Sequence, residues 1–180
     1  VEPPQGVAGL QVDGALAYAE FSLLLSKTKP EKEKKAVLRQ GLSVLSSAPV
    51  LNSNRGLEKD LSRFTTEQTL AEALLEVDLS VTERLNILRA AVFSSQQAAF
   101  KAEAIGGNFN KASARHLKKA AGFAQQIIEL ETGNSVVSTL LTQRDIYQKI
   151  KDLASKGVEV DIAEIDRAIL AISRLLKSSY

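Results

Sequence analysis

All four prolines of this 180-residue chain fall at or before Pro49, and none follows. Proline lacks a backbone N–H and its ring clashes with the preceding helical turn, so a long proline-free stretch is one in which helices can run uninterrupted. Glycine supplies the other punctuation. After Gly56 only Gly106, Gly107, Gly122, Gly133 and Gly157 occur. All but Gly122 sit where apolar periodicity breaks, as expected of residues that close helices in the left-handed conformation. The pattern predicts an irregular first third followed by a regular array of long helices.

Capping signals frame those helices. Ser80-x-x-Glu83 is a capping box. It opens a segment over about 81–105 in which Val81, Leu85, Leu88, Val92, Ser95, Ala99 and Ala102 recur at alternating four- and three-residue steps. Asn110 is placed to cap the next, whose stripe is Ala114, Leu117, Ala121, Ala124 and Ile128. Asn134 or Ser135 caps a third, containing Leu140, Leu141, Tyr147, Ile150 and Leu153. Asp161-x-x-Glu164 opens a fourth, with Ile165, Ile169, Ile172 and Leu176. Upstream, a helix is expected from about Asp13 to Leu24 and another after Lys29-Pro30, holding Val37, Leu38, Leu42 and Leu45. Residues 47–56 read as a loop, and Thr65-x-x-Gln68 as the start of a short helix reaching Val77.

Apolar steps averaging about 3.5 residues on four successive segments are the pattern of bundle packing, and the short connections make neighbours antiparallel. The predicted fold is all-α: an antiparallel up-and-down bundle of four long helices over 81–178, with shorter N-terminal helices and an extended arm over 1–12. Residues 13–180 form one helical domain, irregular over 13–56 and a bundle over 57–180. The glycine-marked ends are spaced like single helices and no repeat consensus recurs, which favours a bundle over a solenoid. Alanine-rich stripes on the first two long helices, with Gly122 beside the second, predict that those two are neighbours, because small side chains let axes approach.

Composition removes much chemistry. There is no Cys, Met or Trp, and His116 is the one histidine. Disulfides, thiolate nucleophiles, iron–sulfur and cysteine zinc sites are excluded, as is any multi-histidine cluster. Two-metal bundle sites use Glu-x-x-His pairs, whereas Ser113 stands three residues before His116. Phosphate-cradling glycine loops and calcium loops are missing too. No catalytic residue, metal or cofactor is predicted. The net charge is +2 without clustering, which gives no support for nucleic-acid binding. The longest apolar runs, such as 168–172, are about five residues, far short of a membrane span. The chain starts Val1-Glu2-Pro3-Pro4 without Met, so a processed or trimmed start is expected. Signal-peptide cleavage, initiator-Met removal and a boundary set by cloning all fit, leaving the compartment open between an exported site and the cytoplasm.

What remains are candidate partner-binding residues. Lys111, Arg115, Lys118 and Lys119 share one helical side and could meet an acidic partner, a phosphate or an anionic membrane; the plainer expectation is a solvated face. The same cations disfavour protonation of His116, which is expected at the polar edge of that helix. Phe93 and Phe100, seven residues apart beside the main stripe, are expected to widen the core; exposed, they would form a docking ridge. Pro3 and Pro4 belong to an arm suited to adaptable docking.

These observations point to a non-catalytic accessory or scaffold subunit that docks onto a larger protein assembly. A processed start and a Pro-containing arm on a helical bundle broadly resemble extrinsic subunits on the lumenal or periplasmic face of membrane complexes, the four-helix lumenal subunits of photosystem II among them. That likeness is one of architecture and matches no motif residue by residue. A small-ligand or pigment carrier and a cytosolic adaptor are the alternatives. Alanine stripes speak against the roomy interior that a carrier needs.

Overall fold

The computed structural model describes residues 5–178 except 52. Helix α1 spans Gln5–Ser26, α2 Glu31–Ser46, α3 Leu57–Leu75, α4 Val81–Ile105, α5 Phe109–Leu130, α6 Asn134–Asp152 and α7 Ile162–Ser178. No strand occurs among the described residues, and the protein is an all-α helical bundle. No described helix is long and apolar enough to cross a membrane.

Local chemistry explains the boundaries. At the start of α4 the Ser80 hydroxyl accepts from the Glu83 N–H at 3.3 Å, while the Glu83 carboxylate accepts from the Ser80 N–H at 2.8 Å. Such a cap is worth about 1 kcal/mol. The same carboxylate receives Lys35 at 2.9 Å and Arg39 at 2.6 Å, so one residue both caps α4 and ties it to α2. Lys35, then the Ser80 N–H, then Arg39 hold its pKa down to about 2. The turn from α4 into α5 needs Gly106 and Gly107, with φ of 77° and 56°, where a side chain would be strained. Gly133 and Gly157 also have positive φ, so the four glycines expected at helix ends stand there. Asp161 accepts from the Glu164 N–H at 2.9 Å and caps α7.

Three expectations are corrected. First, residues 5–12 are helix, not extended arm, and the first third is built from two regular helices. Burial of Val12, Ala15 and Ala19 supplies the packing that outweighs the low propensity of Gly6, Gly9 and Gly14. Asp13 accordingly lies within α1 rather than at its start, and pairs with Lys59 of α3 at 2.7 Å. Second, α3 starts at Leu57 rather than Thr65. Asp60, Arg63, Glu67 and Gln68 occupy buried positions on it, so the apolar rhythm that announces a helix is missing. Third, Asn110 lies inside α5, whose N-cap is Asn108 without a side-chain cap bond. Helix α6 starts at Asn134 after Gly133, so Ser135 also lies inside its helix, its hydroxyl donating back to the Thr132 carbonyl at 3.0 Å.

Each helix packs on its neighbours in sequence, and α1 also packs on α3. One core runs from α3 to α7 through Ala71, Leu88, Leu117, Ile146, Ile150 and Ile165. A second joins α1, α2 and α3 through Ala19, Leu38, Leu45, Leu70 and Leu74. Fully burying each large aliphatic side chain contributes about 1.5–3 kcal/mol. The α4–α5 contact is the most extensive, with Ala91 and Ala99 meeting the alanines of α5 in one core, as their spacing predicts. Gly122 takes no part in it: it is exposed, with open space where a Cβ would stand. Gly41 does mark a close approach, since a Cβ there would lie 2.7 Å from Ser22 Cβ of α1.

Candidate protein-docking surfaces

α4 is held from both sides, by α3 and by α5, and its remaining side faces outward. Phe93 and Phe100 stand there, 56% and 61% exposed. They do not widen the core. The stripe Leu88, Val92, Ser95, Ala99 and Ala102 already fills the inward side, and a residue one position past Val92 or Ala99 is rotated about 100° away from it. Phe93 leans back on Phe64 of α3, edge to face with ring centres 6.2 Å apart, and the Arg63 guanidinium lies 5.0 Å from the Phe64 ring centre. Phe100 borders a groove of about 310 Å³ whose apolar floor is Ala99 and Leu117 and whose rim carries Glu103, Lys149 and Asp152. Ion pairs flank the ridge: Arg89 with Glu131 at 2.6 Å, and Lys156 with Glu103.

Beneath the ridge lies a buried polar network, the feature that pattern reading missed. Lys101 Nζ is 2.8 Å from Asp60 Oδ2, both side chains being almost completely enclosed; Asp60 Oδ1 also accepts from the Leu51 N–H at 3.0 Å. One turn along α3, Arg63 donates to Glu67 at 3.1 Å and to the Ser46 carbonyl at 3.0 Å, while Ser94 of α4 donates to Glu67 at 3.0 Å. Enclosed charges persist only when paired and hydrogen-bonded. These bonds therefore fix the register of α3 against α4. Lys101 follows Phe100 directly, so the network also sets where the exposed ring stands. The available signal was the recurrence of Asp60, Arg63 and Glu67 at helical spacing, opposite a lysine among alanines.

His116 does not sit at a polar edge. It is half-buried between α5 and α3, its Nδ1 2.8 Å from Gln68 Oε1. Gln68 in turn donates to Glu72 at 2.8 Å, and Lys119 donates to the same Glu72 oxygen at 2.7 Å. Since the Glu72 carboxylate only accepts, Gln68 must present its oxygen to His116, and Nδ1 carries the proton. Burial chiefly, then Lys119 and Arg115, push the His116 pKa below 6.5. The imidazole is a structural link in a chain of four side chains.

The basic group divides. Lys119 is engaged with Glu72, whereas Lys111, Arg115 and Lys118 are exposed on the side of α5 opposite its buried stripe of Ser113, Leu117, Ala120 and Ala124. That stripe belongs to the α4 contact, so the three cations point away from α4 and the ridge on it. The structure does not bring them into one site with Phe93 and Phe100. Pro3 and Pro4 lie outside the described residues. Compared with known proteins, the chain matches no family, no curated protein and no solved structure.

Proposed function

We propose that this protein is a non-catalytic accessory subunit that docks a protein partner along the outward side of α4. The observation that carries the reading is the pair Phe93 and Phe100, each more than half exposed on the helix most firmly held by its neighbours. Large aromatics anchored on a rigid element, rimmed by charge and beside an apolar groove, are the usual make-up of an interface centre. Ordering cost on binding is small, because α4 is fixed by the ion-paired network behind it. An apolar side chain of the partner would enter the groove over Leu117, and the rim charges would set its register.

The test is affinity capture from native extract with the full chain as bait, comparing wild type, Phe93→Ser/Phe100→Ser and Lys111→Ala/Arg115→Ala/Lys118→Ala. The partner should be lost from the phenylalanine variant and kept by the basic-face variant, with circular dichroism unchanged in both. Loss from the basic-face variant alone would move docking to α5 and overturn the reading.

A further inference from the structure

Helix α1 is apolar on two opposite sides. Val12, Ala15 and Ala19 are buried, while Val7, Leu10, Tyr18, Phe21 and Leu24 lie in solvent, Leu10 at 71% and Leu24 at 63% exposure. A helix apolar all round is normally enclosed all round, yet among the described residues α1 packs chiefly on α2 and α3. The outer side is ordered. Val7, Leu10, Gly14, Ala17, Phe21 and Leu24 succeed one another at alternating three- and four-residue steps, the spacing of a coiled-coil seam. The charges of α1 are Asp13 and Glu20, both to one side of that seam, and Asp13 is neutralised by Lys59.

We propose that this seam is the contact of a symmetric homodimer in which α1 packs antiparallel on α1 of a second copy. The order of side-chain sizes selects that occupant, because it reads the same from either end: two large residues, two small, two large. A two-fold contact requires such a self-complementary patch. Reversing the helix sets Val7 against Leu24 of the second copy, Leu10 against Phe21, and Gly14 against Ala17. Small residues then meet where the axes come closest, and large ones fill the space where they diverge. Gly14 gives a second argument. A Cβ there would touch nothing of its own chain within 4 Å, and glycine inside a helix lowers its stability, so no contact within the chain calls for it; a close crossing does. The area also suffices. The five exposed side chains offer roughly 600 Å², against about 800 Å² per partner in a standard interface. The adjoining groove between α1 and α2, about 340 Å³ and lined by Tyr18, Phe21, Val37 and Gln40, extends it. The inference is independent of the α4 surface, which such a dimer would present twice.

Sedimentation equilibrium of the full chain up to about 100 µM, where even a micromolar contact is populated, should give a dimer. The exposed double variant Leu10→Glu/Phe21→Glu should give a monomer with unchanged circular dichroism. Because the chain has no cysteine, single cysteines report the orientation cleanly. Under mild oxidation a mixture of Val7→Cys and Leu24→Cys chains should form the mixed disulfide. Val7→Cys alone should not, since the two copies of residue 7 would be about 25 Å apart and a disulfide joins Cα atoms only about 6 Å apart. A dimer that survives the double variant, or Val7→Cys linking to itself, overturns the proposal. So does a monomeric wild type; if that monomer then floats with anionic phosphatidylglycerol vesicles, the seam belongs to a membrane surface instead.

Discussion

Replacing Lys101 with Met isolates the buried charge pair while keeping the length and apolar stem of the side chain. Lys101 Nζ lies 2.8 Å from Asp60, and both side chains are nearly inaccessible, so the substitution leaves a carboxylate in the interior without its ammonium. Removing one member of such a pair costs about 3–5 kcal/mol. Asp60 retains the Leu51 N–H at 3.0 Å, which places the expectation at the lower end, about 3 kcal/mol. For a chain of this length that lowers Tm by about 10 °C, and a stability of about 5–15 kcal/mol would still leave the variant folded at 25 °C. Asp60→Asn in the Lys101→Met background removes the enclosed negative charge yet keeps an oxygen for Leu51. The double variant should recover to within about 1 kcal/mol of wild type, about 2 kcal/mol better than Lys101→Met alone, whereas independent sites would make it worse than either single variant. Urea unfolding followed by circular dichroism measures all four corners of the cycle. A Lys101→Met cost below about 1 kcal/mol, or additive single effects, would refute the claim that this pair sets the α3–α4 register.

Two further outcomes follow from the same geometry. His116 is held neutral in the fold, so below its usual 6.5 the unfolded chain binds more protons than the native one and stability falls as pH falls; His116→Gln should flatten urea midpoints measured between about pH 8 and about pH 5, and an unchanged slope would remove His116 as the cause. On α5, Ala120→Leu forces a large side chain into the filled α4–α5 seam and should cost about 1–3 kcal/mol, whereas Gly122→Ala, in open space two residues on, should raise stability by about 1 kcal/mol; thermal melts of the pair should move in opposite directions.

Pattern reading of a sequence assumes that apolar side chains go in and charged ones stay out. Where that holds, the fold was legible to the residue. Val81–Ile105 carries a capping box, a stripe apolar but for Ser95 and a closing Gly106, and the helix observed is the helix expected. The Ala-rich stripes likewise identified α4 and α5 as neighbours. Reading failed where the rule is reversed. On α3, Asp60, Arg63 and Glu67 stand inside, Asp60 paired with Lys101, and Arg63 and Glu67 bonded to each other, to the Ser46 carbonyl and to Ser94, so the first turns of that helix carry no apolar rhythm to announce them. On α1 and α4, Val7, Leu10, Phe21, Leu24, Phe93 and Phe100 stand outside, and nothing in a one-dimensional pattern separates a stripe that faces a core from one that faces solvent. These reversals have different costs. Enclosed charges cost desolvation and secure one register; exposed aromatics and leucines forgo burial, and they recover it only against something beyond the chain. The register-setting charges lie directly behind the α4 ridge, and the α1 seam is backed by its own core with α2 and α3. The departures from the pattern therefore mark the two places where a rigid support carries an apolar surface outward, which is the arrangement a docking subunit requires.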